Sequence, residues 1–252
     1  MIAELEQRAF SAWPAAEVVP LGAWRLRATS GVTRRANSAW TAAEMPELEH
    51  AIARVESFYA ERALPAVFQL CPLSPRALEP ALAARGYAVD APVAILTTEL
   101  RELASRTPKG VSACVETEIS ADWFELAARR GRYAEVPEVF RGLLARIGTD
   151  AGFALASIDG RPAATGLGVC DRGWLGVFAM ATLPELRGRG AATGLLDALR
   201  SWALSRGATR AYLQVERDNG PALALYRRDG FREVYGYHYR VPSPASASTR
   251  SA

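Results

Sequence analysis

The stretch Pro184–Gly194, with glycine at 188, 190 and 194 and arginine at 187 and 189, joins an apolar run, Trp174–Ala181, to a helical pattern, Leu195–Arg206. Strand, glycine-rich turn and helix start in succession form an anion cradle, because the first N–H groups of a helix lack intrahelical acceptors and sit at the positive end of its dipole. Gly188 and Gly190 permit positive φ and close approach of the backbone to a ligand, and Arg187 and Arg189 add fork-shaped donors. Together these features fit a pyrophosphate.

Many turn–helix junctions contain glycine, so the cradle gains meaning from a second motif downstream. The turn Arg187-x-x-Gly190-x-Ala192 is succeeded by Asn219-x-x-Ala222-x-x-x-Tyr226-x-x-x-Gly230-Phe231. The two motifs, in this order, resemble the GNAT superfamily of acyl-CoA-dependent N-acyltransferases, and the resemblance covers Val111–Val241. It implies an α/β (α+β) fold in which helices flank a mixed, mostly antiparallel twisted sheet.

Half of the 252 residues are hydrophobic and 23% charged, the range of globular proteins, and the length allows one large or two small domains. The net charge of +3 comes from arginines scattered among acids, Lys109 being the single lysine. This distribution argues against a nucleic-acid surface. Cys71, Cys114 and Cys170, odd in number and far apart, suggest neither a disulfide framework nor a metal site. The first residues carry acids where a signal peptide has bases, and no apolar run reaches membrane-span length, so a cytoplasmic protein without membrane contacts is expected.

Residues 1–105 read as an α/β segment. Helices are expected near Glu4–Trp13, Pro46–Arg62 and up to Gly86, with strands near Ala23–Ala28, Ser38–Trp40, Ala66–Leu70 and Ala91–Leu100. Pro80–Tyr87 parallels Ala224–Phe231, each ending a helix at glycine before a strand. The first segment thus reads as a degenerate GNAT-like copy in tandem with a catalytic domain at 111–241, Arg101–Gly110 being the linker. Within 111–241, helices are expected around Ala121–Arg130 and Val136–Ile147. Strands at Phe153–Ile158, Ala163–Cys170 and Trp174–Ala181 should form an antiparallel meander turned by Asp159-Gly160 and Asp171-Arg172-Gly173. The last strand, Phe231–Val241, sets Phe231, Tyr235, Tyr237 and Tyr239 on one face, and core or acceptor-site wall are both open to it. Residues 242–252, rich in Ser, Ala and Pro, read as a disordered tail.

The resemblance assigns the chemistry residue by residue. Backbone amides of Gly188, Arg189, Gly190, Ala191, Ala192 and Thr193, with Arg187, would hold the CoA pyrophosphate. Met180 and Thr182 would hydrogen-bond the pantetheine arm through their backbone, and Asn219 would bond the pantetheine or cap its helix. Tyr226 matches the family's general acid, a role that suits a phenol protonated at neutral pH. Some relatives carry a glutamate as base where Gln214 stands here. Glu216, on the same face of that strand, is the candidate substitute, with His238, Glu135 and a water chain as alternatives.

The implied reaction is acetyl transfer from acetyl-CoA to a primary amine, of a small molecule or a protein, within a ternary complex and without a metal. Monomer and homodimer are both compatible with the sequence. A non-catalytic acetyl-CoA-binding module is the alternative. A dinucleotide-dependent oxidoreductase is disfavoured, because Gly188-x-Gly190 is followed by glycine only at 194 and too little chain remains for a second βαβ half.

Overall fold

The computed structural model describes residues 1–103, 107–129 and 133–243. Residues 244–252 of the expected tail, residues 104–106 of the expected linker and Arg130 lie outside this range. Contacts divide the chain into two compact units. The first comprises Met1–Ala94, Glu216–Asp218 and the chain from Tyr235; the second comprises Ile95–Val215 and Asn219–Val234. Arg101–Gly110 thus falls inside the second unit.

The first unit contains helices α1 (Ile2–Ser11), α2 (Leu48–Ala60) and α3 (Leu78–Ala84). Its strands are β1 (Glu17–Leu21), β2 (Trp24–Ala28), β3 (Ala39–Trp40) and β4 (Phe68–Leu70), with the start of β5 (Tyr87–Glu99) and, from Tyr235, the end of the last strand, β11 (Arg232–Pro242). The sheet order runs β1-β2-β3-β4-β11, with β3 and β4 parallel and the other pairs antiparallel. Strand β1 has no counterpart in the sequence expectations. Its Pro20 lacks the N–H of a ladder residue, which suits a strand at the border of this order. The helix expected from Pro46 begins at Leu48, with the non-helical Glu47 at its N-cap position. Ile52, Val55 and Tyr59 of that helix are fully buried on Trp24, Phe68, Leu78 and Leu82.

A second layer of this unit is polar. Arg27 is 2% exposed and donates to the Ser38 carbonyl, Ser38 Oγ and Gln69 Oε1. Glu6, also 2% exposed, accepts from Gln69 Nε2, Trp40 Nε1 and the Tyr235 hydroxyl. Burial raises the Glu6 carboxyl pKa and lowers that of the Arg27 guanidinium. The tyrosine stripe of the last strand is therefore core, with Tyr235, Tyr237 and Tyr239 all buried.

The second unit is built on β6 (Val111–Glu116), β7 (Ala151–Ile158), β8 (Arg161–Asp171), β9 (Trp174–Thr182) and β10 (Arg210–Glu216), in the order β10-β9-β8-β7-β6. Neighbours are antiparallel except β9 and β10, which run parallel. Asp159 and Gly160 both take positive φ, +51° and +78°, as the expected type I′ turn requires. Helix α4 (Ala121–Phe124) passes into a π-helical turn at Glu125–Arg129 and is followed by α5 (Pro137–Ala145). Helix α6 (Ala191–Ser205) buries Leu195, Leu196, Leu199 and Ala203 against the sheet. Glycines make room for it: a Cβ at Gly168 would come within 2.8 Å of Leu199 Cδ2. Helix α7 (Gly220–Arg228) precedes the last strand. No helix among the described residues is long and apolar enough to cross a membrane.

The polar layer of the first unit yields a stability prediction. Glu6→Ala leaves the buried Arg27 without its nearby anion and leaves three donors without their acceptor. It should destabilise the protein by about 3–5 kcal/mol in urea unfolding; a loss under ~1 kcal/mol would refute this role.

Candidate active site

Strands β9 and β10 pair in register only over Trp174–Val177 and Arg210–Leu213. Beyond Val177, strand β9 carries an irregularity in its ladder to β8, and Ala179 adopts φ +47°. A cleft of about 730 Å³ lies past this point, within the size range of small-molecule sites. Its lining combines the end of β9 (Met180–Thr182), the turn and first residues of α6 (Arg187, Gly188, Gly190–Thr193) and one side of α7.

The α6 terminus is open to an anion. Gly190 is its N-cap, left-handed at φ +88°, and no side chain caps the helix. The first turn contains no acid, so the dipole has no local counter-charge there. The reason Gly190 must be glycine differs from the expected clearance for a ligand. A Cβ there would lie 2.5 Å from Pro108 Cγ, within the supposed linker. Thr107 Oγ1 also donates to Asp197 Oδ2 on α6, at 2.9 Å. The segment before β6 is thus a brace across the first turns of α6.

Helix α7 begins at Asn219, whose Oδ1 accepts from the Ala222 N–H at 3.2 Å. Pro221, Ala222, Leu225 and Arg228, spaced by one, three and three residues, bring one helical face to the cleft. Tyr226 also lines it, 6% exposed, with its ring edge-on to Phe231 at 5.8 Å. Burial pushes its phenol up to about 12, so the group is neutral and protonated at physiological pH.

Of the sequence-derived candidates, Met180, Thr182, Arg187, Gly188, Gly190, Ala191, Ala192, Thr193, Asn219 and Tyr226 all line this cleft. Arg189 is not among the lining residues. Its guanidinium pairs with Asp159 on the β7–β8 turn at 2.8 Å. Glu216, half-buried, groups with the first unit and is likewise not among them. His238 also belongs to the first unit, paired with Glu79 at 2.9 Å, and Glu135 sits exposed in a turn.

Arg228 is the lining residue that motif reading missed. Its Nη2 donates to Thr193 Oγ1 at 2.9 Å and its Nε to the buried Asp229 carboxylate at 3.1 Å. Helical spacing from Ala222 and Leu225 is the signal that would have found it. Among the described residues, the cleft lining contains two arginines and no Asp, Glu or His. With Arg228 paired to Asp229, Arg187 and the α6 dipole are what suit this lining to an anion.

Residues 1–240 match the family described as "Probable histone acetyltransferase Rv0428c C-terminal". The chain is 33% identical over 244 residues to a Bacillus subtilis protein named "Uncharacterized N-acetyltransferase YobR", covering 95% of this chain and 98% of that one. A mycothiol acetyltransferase of Clavibacter sepedonicus is 37% identical over 137 residues, half of this chain and 44% of its own length. Among solved structures, a GCN5-related N-acetyltransferase from Kribbella flavida superposes with a TM-score of 0.74 at 22% identity, over 98% of this chain and 96% of that one. A tandem GNAT protein from the clavulanic acid biosynthesis pathway gives 0.63 at 15% identity, over 77% and 68%. The motifs, the fold and these relatives converge on one conclusion: the chain belongs to the Rv0428c C-terminal acetyltransferase family and is a GNAT-type acyltransferase.

Proposed function

We propose that the protein transfers an acetyl group from acetyl-CoA to a primary amine by direct attack in a ternary complex. The observation that carries this reading is the convergence, in one cleft, of an uncapped helix N-terminus with two arginines and a buried protonated phenol. The residues fit the donor. Amides of Ala191–Thr193, with Arg187, offer charge-assisted hydrogen bonds to a pyrophosphate. The end of β9, parted from β10, offers backbone groups to the extended pantetheine arm. Acetyl-CoA brings an activated thioester, whose carbonyl a β9 N–H would polarise.

As the amine nitrogen bonds to the carbonyl carbon and the C–S bond breaks, Tyr226 gives its phenolic proton to the departing sulfur. A phenol near 12 is a weak acid, but the burial that raises it also raises the basicity of a thiolate in the same cleft. The incoming ammonium loses one proton to solvent before attack, and its second N–H proton returns to the Tyr226 phenolate as the amide forms, so the acid is regenerated. The first unit is read as a degenerate second copy. In support, α3 and α7 each end at a left-handed glycine before a strand, Gly86 at φ +80° and Gly230 at φ +98°.

Two experiments test the reading. In a thermal-shift assay, CoA at a hundredfold excess over its Kd should stabilise the fold by about 2.7 kcal/mol and NAD should not. Gly190→Val should abolish that shift and also destabilise the unliganded protein by about 1–3 kcal/mol, because a left-handed residue is forced against Pro108; stabilisation by NAD alone would overturn the donor assignment. Tyr226→Phe should keep CoA affinity within a few fold and lower kcat by roughly 10²–10⁴, a separation expected of a general acid. Unchanged turnover would remove Tyr226 from that role. Glu216→Gln, run alongside, should leave the dependence of rate on pH as in the wild type, because Glu216 is not among the residues that line the cleft; an altered profile would restore it as the base.

A further inference from the structure

The donor cleft depends on β9 turning away from β10, and the turn needs something to fix it. The pairs Leu167↔Phe178 and Thr165↔Ala181 leave two residues of β9, Ala179 and Met180, opposite Gly166 alone on β8. With Ala179 at φ +47°, this is a β-bulge, a device that re-aims the side chains beyond it. Here those residues are Met180, Ala181 and Thr182, all in the cleft wall. Without the extra residue the pairing beyond it would slip by one, and each of these side chains would turn to the other face.

Gly166, the residue facing the bulge, is held by two contacts. Met180 Sδ occupies the space above its Cα, where a Cβ would come within 2.7 Å. The indole Nε1 of Trp123 donates to its carbonyl oxygen at 3.0 Å, in buried surroundings. Trp123 is itself 0% exposed, near-parallel to Phe140 at 6.3 Å and edge-on to Phe153 at 5.1 Å. Ser120, whose Oγ accepts from the Trp123 N–H, starts the helix that carries it. An apolar ring would satisfy the aromatic packing alone; the N–H adds a directed bond to one particular backbone oxygen.

We propose that Trp123 is a positioning residue for the acyl-donor site: its indole N–H, acting through the Gly166 carbonyl, holds the β9 bulge in register so that Met180–Thr182 face the cleft. The proposal rests on the reading of that cleft as the acyl-CoA site. It makes α4 and the π-helical turn after it part of the donor site's support, although none of their residues is among those lining the cleft.

Two replacements at position 123 test this. Trp123→Phe keeps a ring among the aromatics, and 3-benzothienylalanine keeps the full bicyclic shape while placing sulfur where the N–H was. If Trp123→Phe fails to fold, the isostere carries the test. In both proteins KM for acetyl-CoA and Kd for CoA should rise about tenfold or more, the scale set by leaving a buried carbonyl unpaired, while kcat stays within about threefold. In the unliganded proteins, amide hydrogen exchange should accelerate at Ala179–Thr182 and remain unchanged at Leu175 and Val177. Unchanged exchange at the bulge in the isostere, or loss of protection spread evenly over the unit, overturns the proposal, as does wild-type CoA affinity in that variant. Exchange is read without ligand, so a wild-type protein that binds no CoA would refute the cleft assignment and still leave the bulge tested.

Discussion

The hydrogen-bond ladder between β9 and β10 ends at Val177 and Leu213, and the working part of the second unit depends on that ending. Backbone N–H and C=O groups buried in a sheet are normally consumed by neighbouring strands. Once the two strands part, the far end of β9 has a neighbour on the β8 side alone, and the groups it would have directed at β10 are available to a ligand. The same parting opens room for the α6 terminus to face the gap. On the acyl-donor reading proposed above, an extended, phosphate-bearing thioester would need little dedicated side-chain chemistry here, the two cleft arginines and Tyr226 adding to backbone groups.

Backbone construction of this kind decides which parts of the protein were legible in the sequence. Turn and cap chemistry is local, so Gly188-Arg189-Gly190, Asp159-Gly160 and Asn219-Gly220-Pro221 announced a glycine turn before a helix, a hairpin and a capped helix start that the structure contains. Periodicity located α2, α6 and most strands to within a few residues. Strand β1 escaped because a five-residue segment with a proline and a glutamate has no hydrophobic alternation to read. Arg228 escaped because its place in the cleft is set by the seating of α7, not by a motif. The bulge at Ala179 escaped for a related reason: an alanine at positive φ has no compositional signature, and its support comes from Trp123, distant in the chain.

The two units solve burial differently. The second fills its core with aliphatic and aromatic side chains, some fitted over glycines, whereas the first adds to its apolar core a polar interior that includes Arg27, Glu6, Gln69 and Tyr235. Such an interior adds little net stability over an apolar one, but it tolerates few rearrangements, because each donor needs its particular acceptor. In a unit whose β3 has only two residues, that intolerance contributes to a unique register where the ladder alone offers few bonds.

The brace formed by Thr107 and Pro108 has a consequence for the order of events in folding. Thr107 and Asp197 stand 90 residues apart, yet their contact lies two turns along α6 from its N-cap, Gly190. Helix α6 can form early from local interactions, but Gly190 acquires its neighbour Pro108 only after the meander between them has closed. The turn at Gly190 thus takes its native surroundings only through contacts that span the meander, and a chain in which β7–β9 were unpaired would lack the Pro108 side of that turn. The geometry of that turn is therefore tied to a contact across 90 residues and not to the helix alone.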